Sequence, residues 1–203
     1  MTTEHAHLPT NTLAPWAEIV PGAGPMTVDD LLTLPDDEWR YEVVEGVLVR
    51  VAGSGELATN LAIAIASHLF AFVHPRRLGR VTGADGVYRF PGAETGLIPD
   101  VGFYGADRFP LVTDRSKPIP FPPDLAVEVA SPSQDADELA AKARRYLDGG
   151  TRLVWIVWPQ DRRIDVWRRG DTTASNALRD GDELDGEDVV PGFHHPVADI
   201  FDV

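Results

Sequence analysis

Glu128 is a carboxylate in the middle of an apolar segment. Residues 124–130 read Asp-Leu-Ala-Val-Glu-Val-Ala, a pattern that predicts a β-strand. Side chains alternate between the two faces of a strand, so Glu128 shares one face with the small residues Ala126 and Ala130. Glutamate is depleted in strands, and a buried carboxylate is costly without a partner. Either Glu128 has a functional partner, or this is an edge strand with its glutamate in solvent.

Asp100 repeats this pattern in an earlier apolar segment, residues 97–104. Strand alternation places Asp100 on one face with Gly102, again a small neighbour. Pro99 cannot donate a hydrogen bond to a sheet, so the strand begins, bends or lies at an edge here. The alternative is that Pro99 and Asp100 form only a turn, but the apolar residues after Asp100 favour a strand that continues.

Lys142 supplies a positive charge that can face the two carboxylates. It lies on or beside the apolar stripe of a helix predicted over residues 135–148. The alternative is a lysine whose stem packs on the protein while its ammonium reaches water. Because this helix directly follows the strand of Glu128, its inner face looks back at the sheet, which favours an inward lysine.

Two carboxylates and a lysine are the groups that metal-dependent hydrolysis of a phosphodiester requires. Carboxylate oxygens bind Mg²⁺ or Mn²⁺. The ion polarises the phosphate and lowers the pKa of a bound water. A lysine orients that water or stabilises negative charge in the transition state. No nucleophilic side chain is needed, which agrees with a sequence that has no cysteine and no Gly-x-Ser-x-Gly motif.

The elements that must position these residues mix helices and strands, so the fold class is α/β or α+β. Residues 1–25 contain four prolines and no periodicity, which predicts a mobile tail before a single domain over residues 26–203. Two further helices are predicted, a short one after the capping box Thr27-Val-Asp-Asp30 and a long one over 57–73. A hairpin over 39–51 has its turn at Glu45-Gly46. The remaining predicted elements are a strand over 80–90 that Gly83 can break, strands over 152–158 and 164–168, and a packed terminal segment over 191–203.

The composition limits the classes of function. The formal net charge of -14 is unfavourable for a nucleic-acid binder. Either divalent cations offset a carboxylate cluster, or the protein does not bind nucleic acid. No apolar run is long enough to cross a membrane and no signal peptide is evident, so we expect a cytoplasmic protein without a membrane partner. A local basic face is predicted from seven arginines: Arg144, Arg145, Arg152, Arg162, Arg163, Arg168 and Arg169.

With these residues identified, the chain resembles the Uma-type restriction endonucleases, a branch of the PD-(D/E)XK nuclease superfamily. The resemblance covers residues 26–203. The matching segments, in the order typical of that family, are Tyr41-Glu-Val-Val-Glu-Gly46, Pro99-Asp100-Val101, Val127-Glu-Val-Ala-Ser-Pro-Ser133, Lys142 with Tyr146, and Val154-Trp-Ile-Val-Trp-Pro159.

The resemblance implies a restriction-endonuclease-like core, in which a central mixed sheet is flanked by helices. It implies Mg²⁺ or Mn²⁺ ligation by Asp100, Glu128 and the backbone carbonyl of Val129. Glu45, with Glu42 as the second choice, corresponds to a further acidic residue near the site.

The chain departs from the family at two places. The superfamily motif has lysine at position 130, where this chain has Ala130. The family commonly moves that lysine to the following helix, and Lys142 fits the move. Members often carry a histidine at the start of the long helix, where residues 54–59 here contain none.

Three functions follow as hypotheses. The first is a Mg²⁺-dependent endonuclease acting on DNA without an organic cofactor. One such site cuts one strand, so a homodimer is the simple way to cut two. The second is a nuclease fold that serves as a binding or regulatory module without catalysis. The third is a structural oligomer with a buried acidic pocket. Fold analogy does not separate them.

Overall fold

The strands of this protein form two main sheets that pack around the predicted site. The computed structural model describes residues 13–35, 37, 39–51, 53–132 and 134–203. The mixture of helices and strands confirms the predicted fold class. In chain order the elements are β1 (Glu18–Ile19), β2 (Arg40–Val44), β3 (Val47–Val51), α1 (Glu56–Arg76), β4 (Gly79–Thr82), β5 (Tyr88–Phe90), β6 (Thr95–Leu97), β7 (Val101–Gly105), β8 (Leu125–Val129), α2 (Ala136–Asp148), β9 (Leu153–Trp158), β10 (Arg163–Arg168), β11 (Asn176–Leu178), β12 (Glu183–Asp185), β13 (His194–Pro196) and α3 (Val197–Phe201).

The larger sheet has six strands in the order β11-β10-β9-β8-β7-β4. Within it β8 and β9 are parallel, and α2 makes the crossover between them. The side chains of β8 alternate between two cores. Val127 and Val129 face α1 and α3, whereas Ala126 and Ala130 face α2 and the smaller sheet. Glu128 lies on the same face of the strand as these alanines, so it points toward α2.

The smaller sheet has five strands in the order β1-β3-β2-β6-β5. Its centre is the predicted hairpin of β2 and β3, whose turn residues Glu45 and Gly46 have φ angles of 52° and 78°. Two successive positive φ angles give the type I′ geometry that suits the twist of a two-residue hairpin. Val44 and Val49 of this sheet share a core with Ala126 of β8 and Leu139 of α2, so the hairpin covers the α2 face of the larger sheet.

The segment 97–104 is not a single strand, so that prediction is wrong. β6 ends at Leu97 in the smaller sheet, and β7 begins at Val101 in the larger one. The break falls at Pro99, which has no N–H for a ladder. Asp100 is therefore placed where the chain passes from one sheet to the other. The predicted strand over 80–90 divides in the same way, into β4 and β5.

The N-terminal segment packs against the domain from Ala14 onward. Ala14 is fully buried, Trp16 is 6% exposed, and β1 pairs with β3. The predicted mobile tail over residues 1–25 is therefore wrong for this segment, and residues 1–12 lie outside the described residues. Prolines interrupt the apolar residues of this segment, so the sequence shows no periodicity that would predict packing.

Helix α1 is the core helix beneath the larger sheet. Leu61, Ile65 and Leu69 are buried in the same cluster as β7, β8 and β9. Its outer side is also apolar, since Ile63 and Phe70 are 59% and 53% exposed. In the described part of the chain, α1 is long and apolar enough to cross a membrane by length and composition alone. Core packing accounts for the apolar residues on its inner face, and 28% of this apolar window is buried.

Candidate functional site

Asp100 and Glu128 stand opposite each other on neighbouring strands. Val101 pairs with Val127 in the antiparallel register of β7 and β8, which places the preceding Asp100 across from Glu128. Side chains at directly opposed positions have Cβ atoms about 4.5–5.5 Å apart. The N–H of Val129 donates to the Asp100 Oδ2 at 2.8 Å, which fixes this carboxylate. The two carboxylates selected from strand phase thus meet.

Lys142 reaches these carboxylates from α2. Its side chain is 2% exposed, so the inward orientation predicted from helix phase is observed. The ammonium Nζ lies 3.0 Å from the Glu128 Oε1 and 3.2 Å from the Glu42 Oε1. Although burial disfavours a charged lysine, the charges of Glu128 and Glu42 raise its pKa, and Lys142 stays protonated.

Glu42, not Glu45, completes the cluster. Glu42 is 1% exposed and accepts hydrogen bonds from Trp16 Nε1 at 2.9 Å and from the Ile98 N–H at 3.0 Å. Glu45 lies in the hairpin turn, where it forms an exposed ion pair with Arg145 at 2.7 Å. The prediction that Glu45 joins the site is therefore wrong. A turn places side chains at the end of a hairpin, whereas a mid-strand carboxylate such as Glu42 points into a core.

Arg40 is a further member of the cluster that the sequence did not predict. Its NH1 lies 3.1 Å from the Asp100 Oδ1, and its NH2 donates to the Ile98 carbonyl at 3.2 Å. Burial opposes its charge, but the carboxylates of Asp100, Glu128 and Glu42 raise its pKa. The available signal was strand alternation, because Arg40 and Glu42 are two residues apart and point to the same face.

Glu128 has the most perturbed environment among these carboxylates. Burial raises its pKa to about 7, and Asp100 and Glu42 add to the rise while Lys142 and Tyr146 oppose it. The Tyr146 hydroxyl donates to the Glu128 Oε1 at 2.7 Å. Burial and the nearby carboxylates raise the pKa of Tyr146 well above its ordinary value, so it remains a donor. Proton uptake by Glu128 near neutral pH would change the charge of the whole cluster.

The donor set fits a divalent cation. Mg²⁺ is held by one or two carboxylates together with waters and substrate phosphates, so opposed Asp100 and Glu128 suffice. The Glu128 Oε1 takes the contacts of Tyr146 and Lys142, while Oε2 makes no hydrogen bond with a described residue. Within the same residues, no three His, Cys, Asp or Glu side chains are grouped for a metal. The carbonyl of Val129 remains a prediction as a third ligand.

The arginine-rich region does not form a free basic face. Arg145 binds Glu45 and Arg152 binds Asp188, and further ion pairs of this kind neutralise most of the group. The prediction of a local basic face there is wrong, because aspartates and glutamates from neighbouring loops meet these arginines. The remaining pairs are Arg162 with Asp180 and Asp202, Arg163 with Asp161 and Asp165, and Arg168 with Glu187.

Comparison with known proteins identifies the family of this chain. The sequence profile of Uma2, described as "Putative restriction endonuclease", matches residues 28–198, which include Arg40, Glu42, Asp100, Glu128 and Lys142. The chain belongs to the Uma2 family. Comparison with curated protein sequences gives no match.

A solved structure has a similar fold. It is described as "a putative nuclease belonging to DUF820" from Anabaena variabilis ATCC 29413. The TM-score is 0.72, with 21% sequence identity over 87% of this chain and 98% of the other. This similarity confirms the predicted restriction-endonuclease-like core.

Proposed function

We propose that this member of the Uma2 family is a metal-dependent nuclease that hydrolyses phosphodiester bonds. The observation that carries the proposal is the meeting of Asp100, Glu128 and Lys142, with the Lys142 Nζ 3.0 Å from the Glu128 Oε1. These groups come from three elements and are distant in sequence, so their convergence has to be built by the fold. The family description and the fold shared with the DUF820 protein support the same activity.

Asp100, Glu128 and the Val129 carbonyl would hold Mg²⁺ or Mn²⁺. When bound, such an ion polarises a phosphate oxygen and lowers the pKa of a coordinated water, which makes hydroxide available near neutral pH. Both carboxylates must be ionised to serve as ligands. Because Asp100 is fixed by the Val129 N–H, it is already oriented beside Glu128.

Lys142 places a positive charge where negative charge grows on the phosphate. A charge in a buried site interacts more strongly than the same charge in water, and it needs no reorganisation during the reaction. Glu42 holds the ammonium from the other side at 3.2 Å. Glu42 is therefore a positioning residue, which acts on the reaction through Lys142.

Arg40 neutralises Asp100 in the cation-free protein. Its side chain is 27% exposed, so it would be able to leave Asp100 if a divalent cation bound there. The displaced guanidinium then offers its planar set of donors to a phosphate oxygen. Arg40 would thus pair with Asp100 before the cation binds and with a substrate phosphate afterwards.

DNA is the substrate that the family description favours, and one site cuts one strand. A homodimer would bring two sites to a duplex.

The test is cleavage of plasmid and single-stranded DNA with Mg²⁺ or Mn²⁺. Asp100→Asn, Glu128→Gln and Lys142→Met should each lower the rate at least 100-fold, because each removes a charge that acts on the phosphate or its metal. Glu45→Gln is the matched control, since it removes an exposed carboxylate outside the cluster, and it should cleave like the parent. Cleavage that survives both carboxylate substitutions would refute the proposal.

The alternative function is a binding module without catalysis. The favouring observation is that Arg40 and Lys142 already neutralise Asp100 and Glu128, so the cluster is electrostatically stable without a cation. Isothermal titration with Mn²⁺ distinguishes the two functions. Metal binding that Asp100→Asn abolishes, in a protein that cleaves no nucleic acid, would favour the module.

A further inference from the structure

Most Lys and Arg side chains that lack an ion-pair partner in the described part of the chain gather at one end of α1. Most of the other cations are paired with carboxylates, which leaves this region unusual in a protein of net charge -14. Asp114 lies in the same loop as Arg115 and Lys117, where hydrogen bonds from Ser116 and the charge of Lys117 lower its pKa. The gathered cations are Arg76, Arg77, Arg80, Arg115 and Lys117.

These cations adjoin a groove between α1 and β4, the edge strand of the larger sheet. Ile63, Ala66, Phe70 and His74 recur on α1 at steps of three and four, so they form one continuous wall. Two cavities follow this wall, which together we call the α1–β4 groove. One of about 140 Å³ is lined by Ile63 and Ala66 together with Arg40, Gly83 and Asp100. The other, of about 420 Å³, is lined by Phe70 and His74 together with Arg80, Arg115 and Lys117.

The α1 wall therefore runs from the candidate site to the cationic region. Arg80 on β4 pairs with Tyr104 on β7, four residues beyond Asp100. At about 3.4 Å per strand residue, the separation along the sheet is about 14 Å. Stacked nucleotides rise about 3.4 Å each along one strand, so this distance corresponds to about four nucleotides.

Aromatic faces accompany the positive charges. The Phe70 ring is 53% exposed and stacks on His74, with 4.9 Å between ring centroids and 12° between planes. An exposed aromatic face is the platform on which an unpaired base stacks, and this contact accepts any base. In a duplex the bases already stack on each other, so Phe70 has no free base face to meet.

We propose that the α1–β4 groove binds a single nucleic-acid strand and leads it to Asp100. Arg115 and Lys117 hold its phosphates beside Arg80, whose guanidinium is held by Tyr104 and Phe109, and Phe70 stacks on one base. This inference rests on the proposed nuclease function and adds the strandedness of the substrate. Charge complementarity selects the occupant, because the groove is cationic in an otherwise acidic protein.

The test is binding of fluorescein-labelled oligothymidylate of about 12 nucleotides, a length within the range of single-strand sites. Fluorescence anisotropy in EDTA, over a series of salt concentrations, measures affinity without cleavage. The double variant Arg115→Ser/Lys117→Ser should reduce the slope of log affinity against log salt by about 1.4, because each lost phosphate contact contributes about 0.7. The matched control is Arg169→Ser/Arg179→Ser, which removes two exposed cations away from the groove and should leave the slope unchanged.

Variants of Phe70 distinguish base stacking from electrostatic attraction to the phosphates. Phe70→Ala should weaken single-strand binding at least about 5-fold, because stacking on one base contributes about 1–3 kcal/mol. Phe70→Trp keeps an aromatic face and should bind like the parent protein. Thermal unfolding checks that each exposed variant is folded. A duplex of equal length that binds as tightly as the single strand overturns the inference, and so does an equal effect of the control pair.

Failure of this inference is distinguishable from failure of the proposed function. Asp100-dependent cleavage by a protein whose groove variants bind and cleave normally would reject the groove alone. Absence of both metal-dependent cleavage and nucleic-acid binding would reject the nuclease proposal and the groove together.

Discussion

Glu42, Glu128 and Lys142 form a buried group of charges that is expensive to assemble. Desolvation of charged groups costs several kcal/mol each in real proteins, and their mutual attraction offsets this only with good geometry and further hydrogen bonds. Trp16, Ile98 and Tyr146 supply those hydrogen bonds here. Apolar residues of similar volume would stabilise the fold at least as well, so the charged group is best explained by a role in binding or catalysis.

Glu42→Gln tests the positioning role of this carboxylate. The amide keeps the size of the side chain but no longer balances Lys142, so we expect the free energy of unfolding to fall by about 1–3 kcal/mol. Cleavage should lose kcat rather than raise KM, because the lysine acts on the transition state. Urea denaturation and steady-state kinetics measure the two effects, with Glu45→Gln as the control. An unchanged kcat would remove Glu42 from the site.

The raised pKa of Glu128 predicts how stability depends on pH. A carboxyl whose folded pKa of about 7 exceeds its ordinary value of 4.5 binds a proton more tightly in the folded state. Its contribution is therefore fully present below pH 4.5 and is lost as pH rises through about 7. Glu128→Gln mimics the protonated form and should lack this loss. Denaturation in EDTA at pH 5 and pH 8 should show the parent losing on the order of 2 kcal/mol relative to the variant. Parallel pH profiles for the two proteins would contradict the assignment.

At the residue scale, strand and helix phase predicted Asp100, Glu128 and Lys142, because each departs from an apolar pattern. The same reasoning applied to β2 would have selected Glu42, a carboxylate in the middle of Arg40-Tyr-Glu-Val-Val44. Family resemblance favoured Glu45 instead. Arg40 could not be predicted as a partner of Asp100, because 60 residues separate them in sequence.

At the scale of elements, the junction between β6 and β7 positions Asp100. Pro99 ends the pairing of β6, and the chain enters the larger sheet at Val101. Gly102 then lets Tyr88 and Thr82 approach the backbone of β7, and these two side chains share a hydrogen bond of 2.8 Å. The close approach ties β5 and β4 to the strand that directly follows Asp100.

Gly102→Ala should disturb this junction. The added methyl group would meet the Tyr88 hydroxyl and the Thr82 Oγ1, so we expect a loss of about 1–3 kcal/mol in unfolding free energy and weaker metal binding. Gly24→Ala is the control, because its methyl group would enter open space. Thermal unfolding and Mn²⁺ titration measure the two effects. Equal behaviour of the two alanine variants would show that the approach of Tyr88 is unimportant.

The N-terminal segment is an element of the site as well as of the fold. Trp16→Phe keeps most of the buried ring but removes the donor to the Glu42 Oε2, so we expect a loss of about 1–2 kcal/mol in stability. Trp39→Phe is the matched control in the same region, where Arg50 stacks on the ring at 4.2 Å. Chemical denaturation compares them. A loss that is no larger than that of the control would deny Glu42 this support.

Element prediction succeeded where periodicity was strong and failed where pairing decides the boundary. The hairpin around Glu45-Gly46 and the helix over 135–148 carry local signals, namely a turn pair and an apolar stripe at helical spacing. The assignment of β6 and β7 to different sheets depends on long-range partners that no local window contains. The packing of Trp16 depends on the same kind of contact.

At the scale of the whole molecule, a bound cation should stabilise the fold. A ligand that binds only the native state adds about 2.7 kcal/mol when its concentration is 100 times its Kd. Mn²⁺ should therefore raise the Tm of the parent protein in differential scanning fluorimetry, and Asp100→Asn should abolish the shift. NaCl at the same ionic strength controls for general screening of the net charge of -14. A shift that persists in Asp100→Asn would place the cation elsewhere.

The fold class was predictable for the whole molecule, but the distribution of its free charge was not. Sequence proximity pointed to the arginines between positions 144 and 169, yet loops from other parts of the chain supply carboxylates to most of them. The cations that lack an ion-pair partner, such as Arg80 and Lys117, are scattered in sequence and are brought together by the packing of α1 against β4.

The order of the site residues along the chain has a consequence for biosynthesis. During translation, Glu42 and Asp100 emerge well before Lys142, and the strand of Glu128 gains its parallel neighbour only when Leu153–Trp158 has been made. Domains generally fold as units, so the candidate site is not assembled in an unfinished chain. Under the proposed function, nucleic acid near a growing chain would therefore be protected until most of the protein has been completed.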